Sequence, residues 1–210
     1  TLDGSKLADA IDQANTATDD TSVVFTITAV SEIQGSEENF TALLTDEGNN
    51  QIDIDDQDIN VNSGTISVDN VNDLDTTTTG TITASIDTTE RVSELKTLTG
   101  THAYTIVISE DDAIIGNAAD LNTIDSATSV AVNASEVTQL TGTVAALKTA
   151  FAAGAAGTIT GLNGAEAVIL SDTADTSASD VHSLKNFLDD AADNAGVTAS
   201  AISLATCLLY

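Results

Sequence analysis

Ser93-Glu94-Leu95-Lys96-Thr97-Leu98-Thr99-Gly100-Thr101 returns as Ser135-Glu136-Val137-Thr138-Gln139-Leu140-Thr141-Gly142-Thr143, with six of the nine positions identical. Looser copies stand at Ser179-Asp180-Val181-His182-Ser183-Leu184 and Ala119-Asp120-Leu121-Asn122-Thr123-Ile124, with a trace at Asn72-Asp73-Leu74. Ser or Asn at the first position of a copy can cap the orphan N–H groups of a helix. The acid beside it suits the positive end of the helix dipole. Apolar residues at the third and sixth positions share one helical face. Each copy therefore predicts a capped helix of about two turns, stopped by Thr, Gly, Asp and Ser.

A second pattern lies between the copies. Gly64-Thr65-Ile66-Ser67, Gly80-Thr81-Ile82-Thr83 and Gly157-Thr158-Ile159-Thr160 alternate apolar with hydroxyl residues, the period of a half-buried strand. Ala103–Ile108, Val130–Val132, Val23–Ile27 and Ala167–Leu170 occupy equivalent places. Short strands thus alternate with short helices at steps of about 16 to 26 residues, too short for any unit to bury its own faces. The expected fold is an α/β repeat solenoid, with short Thr-rich parallel strands alternating with short capped helices. The alternative is a compact α/β or mostly-β domain. Residues 1–62 repeat less clearly and are expected to form an N-terminal cap or divergent repeats, with the irregular strand–helix repeats spanning 63–210.

Ala118-Ala119-Asp120-Leu121-Asn122-Thr123-Ile124-Asp125 resembles the AxxLNTLDG units that occur in tandem in giant cell-surface proteins of marine cyanobacteria, with similar units in phage tail fibres. The stretch from Gly157 to Asp172 resembles the ITGLGNEAVTLSD linkers between those units. The likeness spans about residues 64–185. It implies a repetitive extracellular fibre or surface layer and carries no catalytic residues with it.

Composition narrows the function further. The 210 residues hold 33 acids against 5 bases, a formal net charge of -28. Five scattered cations build no phosphate-binding patch, which argues against nucleic acid. Anionic membrane surfaces would repel the chain, and no apolar run is long enough to span a bilayer. So high a charge keeps a chain soluble but strains the compact state, and salt screens that strain over roughly 8 Å at physiological strength. Such a composition suits a salty or Ca²⁺-rich exterior. Apolar residues make up 41% but aromatics only 3%, so the core must be thin and regular, built from Ala, Val, Ile and Leu. A single Cys207 allows no intrachain disulfide and reads as a small buried residue. The start at Thr1 without Met suits a processed chain or a piece of a larger one.

Candidate chemistry is sparse. Asp53, Asp55, Asp56 and Asp58 form the densest acid run, and oxygens at alternate positions suit Ca²⁺, the one candidate cofactor. The run lacks the EF-hand order and its bidentate Glu. Glu110-Asp111-Asp112 is a weaker cluster. His102 and His182 have no Cys nearby to build a zinc site and are expected on surface turns. No Gly-x-Ser-x-Gly elbow supports a triad. Glycoside hydrolysis would need an aromatic-lined cleft, and a lyase would need cationic side chains. Asn39-Phe40-Thr41 and Asn133-Ala134-Ser135 fit the glycosylation sequon. The end, Ala201–Tyr210, is apolar, and Ile202, Leu204, Leu208, Leu209 and Tyr210 are the candidates for self-association. The function expected is a non-enzymatic structural subunit of an extracellular filament, stacking head to tail on copies of itself. The alternative is an adhesin or tail-fibre segment that binds surface glycans.

Overall fold

The computed structural model describes residues 1–7, 9, 10, 13, 24–27, 30–164, 166–171, 179, 181–185 and 202–204. The fold is mixed α/β, and every strand pairing among these residues is parallel. Contacts divide the chain into two compact units: Thr1–Asp87 with Leu98–Thr105, and Thr88–Thr97 with Ile106–Tyr210. The step expected at residue 62 does not coincide with this division. Residues 58–63 form one strand, paired to neighbours on both sides.

In the first unit, β1 (Leu2–Asp3), β3 (Glu32–Ser36), β5 (Asp58–Ser63), β6 (Ile82–Ser85) and β7 (Ala103–Thr105) form a five-stranded sheet in chain order. β2 (Phe25–Thr26) and β4 (Ile52–Asp53) form a second, two-stranded sheet. The register stacks Leu2 on Ile33, Ile33 on Ile59, and Ile59 on Ile82. The three isoleucines are at most 1% exposed, so the alternation read from the sequence puts one apolar ladder inside. Helix α1 (Glu37–Gly48) follows β3 and α2 (Val68–Thr77) follows β5; they pack on each other. Ser36 caps α1 in a capping box with Asn39, and the Ser67 hydroxyl accepts from the Asn70 N–H. Phe40 and Leu43 of α1, with Val71 and Leu74 of α2, turn inward.

The second unit repeats the plan. It holds α3 (Val92–Leu95), β8 (Ile114–Ile115), α4 (Ala118–Ser126), β9 (Val132–Asn133), β10 (Gln139–Gly142), α5 (Val144–Ala156), β11 (Ile159–Thr160), β12 (Ala167–Leu170) and β13 (Ile202–Leu204). The order β8-β10-β12-β13 again follows the chain, and β9 pairs with β11. Ile115, Leu140 and Val168 form one buried ladder, Val132 and Ile159 another. α4 packs on α3 and on α5. Asn117 caps α4 and Thr143 caps α5. Gly157 ends α5 at φ 82°, a left-handed conformation that glycine adopts without strain.

The Thr/Ile alternation marks strands at Ile82 and Ile159, but Gly64-Thr65-Ile66-Ser67 holds only an isolated bridge at Ile66, after the strand Asp58–Ser63, and several helices do not start where expected. Ser135 opens no helix: Ser135 and Glu136 sit in a turn, and the copy runs on into β10. Its Val137-Thr138 replaces Leu95-Lys96 of the first copy, and β-branched residues disfavour helix. The first copy is a single turn that begins at Val92, so Ser93 lies inside it and Arg91 holds the cap position. Asn72 is likewise internal to α2, whose cap is Ser67.

Candidate functional site

The most fully built polar cluster lies in the first unit, where the last turn of α2 meets the approach to β7. Asn72 Oδ1 accepts the Thr99 N–H at 3.0 Å and the Thr99 hydroxyl at 3.2 Å, which fixes the loop against the helix. One turn further along α2, Asp75 Oδ1 accepts from His102 Nε2 at 2.6 Å. His102 Nδ1 accepts the Ile82 backbone N–H at 3.1 Å. That second bond fixes the tautomer, because a nitrogen that accepts an N–H carries no proton itself. The two side chains are only 11% and 20% exposed, so His102 is not on a surface turn as the sequence suggested. Gly100 closes over the pair at φ 70°: a Cβ there would lie 2.4 Å from His102 Nε2 and 2.5 Å from Asp75 Oδ1.

The electrostatics follow from this enclosure. Burial alone would raise the Asp75 carboxyl. Hydrogen bonds from His102 and Thr99 outweigh it and hold the group below its usual range. The Tyr104 ring lies 5.4 Å from the imidazole at a 57° tilt. Burial, and then the Asp75 charge, push its phenol upward. Both ring nitrogens of His102 are thus hydrogen-bonded. The pair positions the backbone at the start of β6.

The aspartate run forms a loop that is a structural hub. Asp53 Oδ1 accepts the Asp55 N–H at 3.2 Å, Asp56 Oδ1 accepts from the Gln57 amide, and Asp58 Oδ1 accepts the Thr81 N–H at 2.7 Å. The backbone carbonyl of Asp55 accepts from the Thr79 N–H at 2.6 Å. Glu47 joins from α1 by accepting the Ile54 N–H at 3.2 Å. Its carboxyl is pushed up by burial and by the Asp53 and Asp55 charges, against the pull of that hydrogen bond. Among the described residues no three His, Cys, Asp or Glu side chains gather in a way that could hold a metal ion, so Asp53, Asp55, Asp56 and Asp58 are neighbours in sequence without forming one cage.

Sequence reasoning missed Glu37. From the first turn of α1 it reaches the start of α2, where Oε1 accepts from the Ser67 N–H (2.9 Å), the Ser67 hydroxyl (2.8 Å) and Asn70 Nδ2 (2.7 Å). Burial works to raise this carboxyl, and the three hydrogen bonds together bring it below its usual range. One helix thus caps the next. Beside it runs a shallow, open groove of about 560 Å³ lined by Glu37, Glu38, Thr41, Ala42, Thr45 and Asn70. The Ser36-Glu37-Glu38-Asn39 capping box was the signal available in the sequence.

The remaining candidates have local roles or fall outside the description. Glu110-Asp111-Asp112 forms a 3₁₀ turn whose two aspartates pair with Arg91, at 3.1 and 3.7 Å, and Asp112 accepts the Val92 N–H. The sequon Asn39 is held in the α1 capping box, and Asn133 Oδ1 accepts the Ser135 N–H. His182 lies on a helical stretch, residues 181–185. Ile202 and Leu204 lie on β13, which pairs with β12 and is an edge of its sheet. Leu208, Leu209, Tyr210 and Cys207 lie outside the described residues. No helix among the described residues is long and apolar enough to cross a membrane. No protein-family model, curated protein or solved structure matches the chain.

Proposed function

We propose that this protein is a non-enzymatic structural subunit of an extracellular filament or surface fibre, assembled by head-to-tail stacking of solenoid-like rungs. The observation that carries the reading is the order of the sheets. Ile33 pairs with Ile59, 26 residues on; Ile59 pairs with Ile82, 23 residues on; Leu140 pairs with Val168, 28 residues on. Each rung is a strand and a return segment laid against the rung before it. Helix packing in the same order, α1 on α2 and α4 on α5, supports the same reading. A sheet built this way ends in strands with one backbone edge open, and a rung of another copy offers the matching edge. Head-to-tail contacts that do not close into a ring extend into filaments. The fibre likeness of residues 64–185 and the acidic, aromatic-poor composition agree with that role.

Electron microscopy and sedimentation velocity of the native protein, at rising protein and salt concentration, test it. The expected result is linear polymers whose length grows with both. A single monomeric species under every condition would overturn the proposal. Selective binding to a glycan array by a chain that stays monomeric would replace it with the adhesin reading.

A further inference from the structure

We propose that Asn163 is a self-modification site gated by Glu166: the folded turn keeps Asn163-Gly164 intact, and opening of the turn lets Asn163 deamidate through a succinimide. Asn163-Gly164 is the one Asn-Gly dipeptide in the chain. Glycine has no Cβ, so it leaves the attacking nitrogen unhindered. The turn itself calls for that glycine, because Gly164 has φ 83°. Asn163 is exposed to water, whereas Gly164 is buried and Glu166 is only 9% exposed. Glu166 Oε1 accepts the Asn163 N–H at 3.1 Å, and Glu166 Oε2 accepts the Gly164 N–H at 2.9 Å. Both ends of the turn are pinned within the second unit. Leu162 is buried against Gly154 of α5, and the Ala167 N–H donates to Thr138 O at 2.8 Å.

In the reaction Gly164 N attacks the Asn163 side-chain carbonyl carbon. The N–H proton and the side-chain amide nitrogen leave together as ammonia, and a succinimide ring remains. Water then opens the ring at either carbonyl and leaves aspartate or isoaspartate. The ring contains Gly164 N with the Asn163 backbone carbon, Cα, Cβ and Cγ, so it closes only when Gly164 N lies on the Cβ side of the Cα–C bond. The clamp holds that nitrogen on the side of Asn163 N, since consecutive N–H groups reach one carboxylate only when both point the same way. Closure therefore demands a rotation about the Asn163 Cα–C bond that pulls the Gly164 N–H off Glu166. The rate then follows the population of the open turn, as for any slow reaction of a briefly opened segment. The product does not fit the turn again. Isoaspartate adds a methylene to the main chain, and either product adds a negative charge to the turn that Glu166 closes. The turn leads into β12, which lies between β10 and β13, so the conversion permanently marks chains in which the approach to this sheet has opened. The inference stands on this geometry and does not depend on filament formation.

Peptide-mapping mass spectrometry of the whole protein, incubated near pH 7.5 with and without guanidinium chloride, tests it. Deamidation of Asn163 should be about tenfold or more slower in the native protein than in the unfolded one. Glu166→Gln removes the charge and one acceptor oxygen from the clamp. It should speed the native-state conversion about tenfold and leave the rate in guanidinium unchanged. A native rate equal to or above the unfolded rate overturns the proposal; a higher one would make Glu166 a promoter of the reaction. An unchanged native rate in folded Glu166→Gln also overturns it. Should that variant fail to fold, amide hydrogen exchange of the unaltered protein decides. The protection of the Gly164 N–H should match the slowing of deamidation, and an unprotected Gly164 N–H overturns the proposal.

Discussion

Gly80→Ala adds one methyl group at the entry to β6. An ideal Cβ at this position lies 2.2 Å from Gln57 O, 2.5 Å from Gln57 C and 2.7 Å from Asp58 N. All three are backbone atoms, so no rotamer change can make room. Ordinary contact distances of roughly 3.5 Å require the two segments to part by about 1 Å. Gln57 and Asp58 are tied down: Gln57 O accepts the Thr78 hydroxyl at 2.6 Å, Asp58 N–H donates to Ser31 O at 2.9 Å, and Asp58 Oδ1 holds the Thr81 N–H. Overpacking costs about 1–3 kcal/mol, and each hydrogen bond stretched away adds about 1 kcal/mol. The expected loss is therefore about 2–5 kcal/mol. Gly48, at the end of α1, has nothing within 4 Å of its ideal Cβ. Gly48→Ala should leave stability unchanged or raise it by about 0.5–1 kcal/mol. Urea unfolding followed by far-UV circular dichroism gives both numbers. With a slope of about 2 kcal/mol per molar, the Gly80→Ala midpoint should drop by roughly 1–2.5 M. A midpoint that moves no further than that of Gly48→Ala would refute the close approach of β6 to the Gln57 turn.

Two further predictions concern charge. Glu37 has its folded carboxyl below its usual range, so its contribution is complete above that range and is lost as pH falls through the lower folded value. Glu37→Gln should cost about 1–2 kcal/mol at pH 7, and acid titration of its stability between pH 6 and 3 should be flatter than in the unaltered protein; equal slopes would sink the cross-cap. Removing salt and adding chelator should lower the melting temperature or loosen the assembly, and Na⁺ at matched ionic strength should restore it as well as millimolar Ca²⁺ does. A clear advantage for Ca²⁺ would return Asp53, Asp55, Asp56 and Asp58 to candidacy as a metal site.

The strands were legible because their signal is local and two-residue. Ile82 between Thr81 and Thr83 stands against Ile59, and Ile159 between Thr158 and Thr160 against Val132, so each finds an apolar partner in the parallel register. The helices were read less well because the repeated nine residues carry a shared boundary signal and not a shared helix. Thr-Gly-Thr after Leu98 leads into a loop bound to Asn72; after Leu140 it ends a strand, and Thr143 then caps α5. The same letters serve both because Thr is at home in a strand and also caps a helix. α1 and α5 fall outside the repeated letters altogether. Their evidence was the capping box at Ser36 and the alanine-rich run after Thr143. The Asp75–His102 pair, 27 residues apart, becomes visible only when the register of β6 against β7 is known.

Parallel registry also bears on how a chain of net charge -28 can form strand ladders. In-register parallel strands bring equivalent positions together, which helps apolar ladders and penalises charged ones. Inside, Ile33, Ile59 and Ile82 gain from it. Outside, Asp3 pairs with Gln34, Gln34 with Asn60, and Asn60 with Thr83, so this ladder carries a single charge, at its end. Glu32 opposite Asp58 is the exception, and both carboxylates are engaged: Glu32 accepts the Thr1 hydroxyl and Asp58 accepts the Thr81 N–H. Many other acids stand in first helical turns, Glu37 and Glu38 in α1, Asp69 in α2, Asp120 in α4, where the helix dipole favours them. Asp120 also meets Lys96 at 3.0 Å. In the five-stranded sheet the charged residues on strands are Asp3, Glu32 and Asp58. The first-turn acids stand on helices, where salt can screen them without touching the strand ladders.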